Sequence, residues 1–111
     1  MTDRIIDPNK AVDYILENGR KFAKAKADRV YLEEFRKSKK ALLMNQSTET
    51  TVNAREQYAY SHPDYVQVLE GIKQAVEVEE ELRWHLVAAQ ARVEIWRSQE
   101  ATARHEGRAV H

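Results

Sequence analysis

Across residues 63–104, apolar side chains recur at alternating intervals of three and four, and no proline interrupts the pattern after Pro63. Setting Tyr65 as position a of a seven-residue repeat puts Tyr65, Ile72, Glu79, Leu86, Val93 and Glu100 in the a column. Val68, Ala75, Leu82, Ala89, Trp96 and Ala103 then fill the d column. Only Glu79 and Glu100 break the apolar register, and Leu69 and Val76 widen the stripe at position e. This spacing predicts one helix of about 42 residues, roughly 60 Å long. A rod of that length needs a partner of equal length. Small side chains at d favour close antiparallel packing.

The first half supplies such a partner. Asp7-Pro8 is a helix start, because Asp is a good N-cap and Pro at the first helical position gives up a donor with no intrahelical acceptor. The helical pattern then continues through residues 8–44, with Asn18-Gly19 as its one weak point and a candidate bend. Val12, Ile15, Leu16, Phe22, Val30, Tyr31, Phe35, Leu42 and Leu43 form a less regular apolar stripe, expected to face the second helix. Residues 45–53, rich in Ser, Thr and Asn, read as a loop, since these side chains compete for backbone hydrogen bonds. Thr51 or Asn53 caps a short helix over 54–60, and Ser61 or His62 caps the next one, with Pro63 in its first turn.

The expected fold is therefore all-α, a single domain of two long antiparallel helices joined by a loop and a short helix. Residues 1–7 are expected to be a flexible N-terminus, 63–104 the long helix and 105–111 a frayed end. About a third of the residues are charged, and mean hydropathy is low. That composition suits helices with one buried stripe and a solvated back, so packing in a coiled-coil-like homo-oligomer is expected as well.

Three glycines and two prolines are too few for a β-sandwich, and the lack of cysteine excludes disulfides, Cys-ligated zinc and thiol catalysis. No stretch approaches a membrane span and no secretion signal is visible, so a cytoplasmic protein without membrane contact is expected. Net charge is zero but uneven. Residues 1–46 hold 11 Lys or Arg against 7 Asp or Glu, and residues 20–40 hold nine against three. Such polarity serves an anionic partner, or pairs one half of the chain with the other.

Candidate chemistry is sparse. Glu77, Glu81 and His85 share a helix face at i, i+4 spacing, which can bind a metal or move a proton, but one helix offers too few ligands. A solvated acidic face with Glu81 beside His85 is the plainer reading. Glu79 falls on the seam and needs a cation, for which Arg83 or Arg36 qualifies. Trp96 sits in the d column, whereas Trp84 falls at f, opposite the seam, and reads as an interface anchor. Leu82, Trp84, Leu86, Val93 and Trp96 are the candidate interface residues. Arg36, Lys37, Lys39 and Lys40 form the densest basic run and are the candidate phosphate-facing patch. No Gly-rich phosphate loop, nucleophile elbow or metal motif is present, so neither an enzyme nor a cofactor is expected.

Arg29-Val30-Tyr31-Leu32-Glu33-Glu34-Phe35-Arg36-Lys37-Ser38-Lys39-Lys40-Ala41-Leu42-Leu43-Met44 is followed by Arg55-Glu56, Ala59-Tyr60, Glu79-Glu80-Glu81-Leu82-Arg83-Trp84 and Glu94-Ile95-Trp96-Arg97. Together these strings resemble a group of short helical proteins of tailed bacteriophages and prophages, often encoded near recombination and single-strand-binding genes. The resemblance covers residues 24–104. It implies an accessory role in phage DNA recombination or replication, in the host cytoplasm, through DNA (single-stranded in particular), a phage or host protein, or both. The group defines no functional residues, so none are carried over. The rival expectation is a structural or host-inhibiting protein that touches no nucleic acid.

Overall fold

The computed structural model describes residues 6–110, and three α-helices account for nearly all of them, with no strand among the described residues. They are α1 (Pro8–Gln46), α2 (Val52–Ser61) and α3 (Pro63–Val110). The expected flexibility of residues 1–5 and of His111 lies outside the described residues.

The helix ends follow local chemistry. Asp7 Oδ1 accepts from the backbone N–H groups of Asn9 (2.9 Å) and Lys10 (3.3 Å), satisfying donors of the first turn of α1. Thr51 Oγ1 accepts from Ala54 N at the start of α2. His62 Nδ1 accepts from Asp64 N, capping α3 one residue before Pro63. Helix α1 is continuous through Gly19, as the single helix expected there, and the Asn18 amide donates to the Tyr14 carbonyl four residues back. Helix α3 continues to Val110, past the expected end near Arg104.

The chain divides into two compact units, one of residues up to Phe22 and from Glu81, the other Ala23–Glu80. Both α1 and α3 contribute to each. In the Ala23–Glu80 unit the two helices run antiparallel, as the pairings of Arg29 with Glu79 and of Lys39 with Asp64 require. Helix α2 closes this unit. Its Ala59 is fully buried, and with Leu43, Tyr65 and Met44 it forms the core cluster. A small side chain at this point lets three helices approach closely. Among its described residues the other unit has two helices and no third. Its fully packed residues are Ala11, Asn18 and Ala89.

On α3 the a and d columns from Tyr65 to Trp96 are buried or half-buried throughout, whereas Glu100 and Ala103 are exposed, so the seam stops at Trp96. On α1 the expected stripe is packed in part: Leu43 is buried and Ile15, Phe22 and Phe35 are half-buried. Ala11, Asn18, Ala25 and Leu32 recur at sevens, interleaved with Ile15, Phe22 and Arg29. Val12, Leu16, Val30, Tyr31 and Leu42 are instead exposed. The reason is that this seam also accepts polar Asn18 and Arg29, each satisfied by a hydrogen bond, so apolar size alone picked out only part of the packed face.

Gly71 sits on α3 where an added Cβ would meet only Leu32 Cδ1, at 3.9 Å, an ordinary contact. Gly71→Ala is expected to stabilise the chain by about 0.5–1 kcal/mol, because alanine loses less backbone entropy on entering a helix. A urea melt checks this, and a loss of stability would mean that the space beside Leu32 is already taken.

Candidate interaction surface

The one buried carboxylate on the seam is Glu79, with a relative exposure of 2%. Arg29 from α1 bonds to it, and Arg36 does not. The Arg29 guanidinium donates to Glu79 through Nε and through Nη2 (3.3 Å), and through Nη1 to both oxygens of Glu33 at 3.0 Å. Hydrogen bonds to Glu79 first, and to Glu33 second, raise the Arg29 pKa still further, so its charge is permanent. A planar fork bonded to two carboxylates fixes the height of α1 against α3 within this unit.

The basic run 36–40 splits in two. Lys39 and Lys40 follow the seam side of α1, their side chains about a quarter exposed. Lys39 Nζ lies 3.7 Å from Asp64, and Lys40 Nζ lies 3.3 Å from Glu56 and 4.7 Å above the centre of the Tyr60 ring. Tyr60 first, and then Glu56, raise the Lys40 pKa against the opposing effect of desolvation. These two lysines tie α1 to α2 and to the start of α3, with their stems covering apolar surface. Lys37 is exposed and pairs with Glu34 at 3.3 Å, and Arg36 is exposed with no ion pair among the described residues. The four cations are therefore not one row. The acids that engage the run are Glu34, Glu56 and Asp64.

Glu77, Glu81 and His85 are all exposed, and no ion pair joins Glu81 to His85. Among the described residues no group of three or more His or acidic side chains is placed to hold a metal ion. No described helix is long and apolar enough to cross a membrane.

Of the five candidate interface residues, Leu82, Leu86, Val93 and Trp96 are half-buried on the seam of α3 itself. Trp84 alone stands away from it, 65% exposed, as position f requires. Sequence reasoning missed the exposed apolar side of α1. The signal was available, because Val12, Leu16, Gly19, Ala23, Lys26 and Val30 repeat the 4-3-4-3-4 spacing one position beyond the packed face.

No family model, curated protein or solved structure matches the chain.

Proposed function

We propose that this chain is a non-catalytic helical interaction protein that works as an assembly of copies and presents its surface to a protein partner. The observation that carries the reading is the balance of buried and exposed apolar residues. Among the described residues, sixteen large hydrophobic side chains are exposed, against six buried hydrophobic residues, four of which are alanine. Exposed apolar side chains in this number mark contact with other macromolecules. On the resemblance set out above, the setting is phage DNA recombination or replication.

Sedimentation equilibrium of the full chain tests the assembly. The expected mass is a multiple of 12.9 kDa. A monomer at about 100 μM would remove this reading, since an obligate assembly is complete at such concentrations.

A second reading, direct phosphate contact, draws on exposed Arg36 and Lys37 in the basic stretch 20–40. With Lys39 and Lys40 engaged by Asp64 and Glu56, the slope of log K against log salt on duplex DNA is expected near −2, about half that of four phosphate contacts. Gel shifts across a salt series measure it. Absence of binding at low salt eliminates this reading and leaves the protein-contact one standing.

A further inference from the structure

We infer that the Ala23–Glu80 unit carries a groove for an uncharged, planar heteroaromatic small molecule, with Tyr31 and Phe35 of α1 on one wall and Gln67, Gly71 and Gln74 of α3 on the other. The groove lies within this one unit, and the inference does not depend on the assembly proposed above.

Two depressions of about 420 and 410 Å³ lie between α1 and α3 here, and Leu32 and Gly71 line both of them. They therefore adjoin along one side of the helix pair. Each falls within the range of roughly 300–1,000 Å³ typical of small-ligand sites.

Gly71 is where they meet, and nothing in the fold asks for glycine at this point. Its φ is not positive, so any residue could adopt the backbone. A Cβ there would meet only Leu32 Cδ1 at 3.9 Å, so the packing of α1 against α3 leaves room for one. Glycine inside a helix still loses more backbone entropy on folding than alanine would. What a side chain at this position would take up is the space that the two depressions share. A local rule broken without gain to the packing marks a functional position.

The walls suit a flat ring. Tyr31 lines one depression and Phe35 the other, and their rings stack with planes 10° apart and centres 6.1 Å apart. Tyr31 is 67% exposed, so much of its ring is open to a further aromatic partner. On α3, Gln74 lines the first depression and Gln67 the second. Neither amide is bonded among the described residues, and each offers two donors and an acceptor to the edge of a heterocycle. An aliphatic body of the same size would cover both amides without bonding to them.

The charges select a neutral occupant. Asp28 lines one end and is bonded to Lys24 at 2.8 Å. At the other end Lys39 lies 3.7 Å from Asp64. Each carboxylate has its own cation, so neither a phosphate nor an ammonium group meets an unmatched charge in the groove.

The test follows amide chemical shifts of the full chain by heteronuclear NMR while adenosine, a neutral planar heterocycle, is added. Binding with a Kd below about 1 mM is expected, with the shifts centred on Tyr31, Gly71 and Gln74. Adenosine monophosphate, which adds only a phosphate, is expected to bind no tighter. Gly71→Leu places a good helix former in the groove and is expected to weaken adenosine binding at least about tenfold. Tyr31→Ala alters an exposed ring, so the test stands even if Gly71→Leu fails to fold. It is expected to weaken binding at least about fivefold, the low end for base–aromatic stacking. No adenosine binding up to about 10 mM, tighter binding of the monophosphate, or unchanged binding in either variant overturns the assignment.

Discussion

Arg29→Leu is expected to lower the melting temperature by roughly 10 °C, more than any other single charge deletion in the chain. The damage falls on Glu79, whose carboxylate is 2% exposed and loses the guanidinium bonded to it by two hydrogen bonds. Water cannot readily replace that partner. Glu33 also loses Arg29, but at 41% side-chain exposure it is solvated at little cost. The reverse change should be milder. In Glu79→Leu the guanidinium keeps Glu33, and the new side chain fills an apolar seam. Joining the two changes should recover most of the loss, because a hydrophobic pair in place of a buried ion pair is often neutral or stabilising. Thermal melts of both single variants and the double variant form the cycle that isolates the coupling. An Arg29→Leu melt indistinguishable from wild type would mean that the pair does not support the fold.

Leu43→Ala is expected to cost about 3 kcal/mol, through lost burial and the cavity left behind. Leu43 is 1% exposed and packs in the cluster that includes Ala59 of α2 and Tyr65 of α3. The ten residues of α2 are too few to stay helical without tertiary packing. The loss should therefore appear first as faster amide exchange along α2, before global unfolding. Its neighbour Leu42, 53% exposed, provides the contrast, and Leu42→Ala should stay within about 0.5 kcal/mol of wild type. Equal effects at the two positions would show that α2 does not depend on this cluster.

Much of the architecture was written in the order of residues along the chain. The cap at Asp7 was readable, and those at Thr51 and His62 were narrowed to two candidates each, because caps act over two or three residues. The seam of α3 was readable because one helix imposes one period, and Trp84 fell outside it for the same reason. The packed side of α1 was readable only in part, through Ile15, Phe22, Phe35 and Leu43. Asn18 and Arg29 look unsuited to a seam until their acceptors are known, and for Arg29 the decisive one, Glu79, lies 50 residues away. The basic run was misleading in the same way, since Lys39 and Lys40 differ from Arg36 and Lys37 only through what α2 and α3 bring against them.

The local sequence alone determined that the chain is helical, where its helices begin, and which stripe of α3 is buried. Capping and periodicity are short-range effects that each segment settles for itself. Only the tertiary structure decided which stripe of α1 faces inward, which cations are engaged, and which apolar residues remain uncovered. Those outcomes depend on contacts between residues distant in the chain, and no single segment encodes its partner's side of the contact.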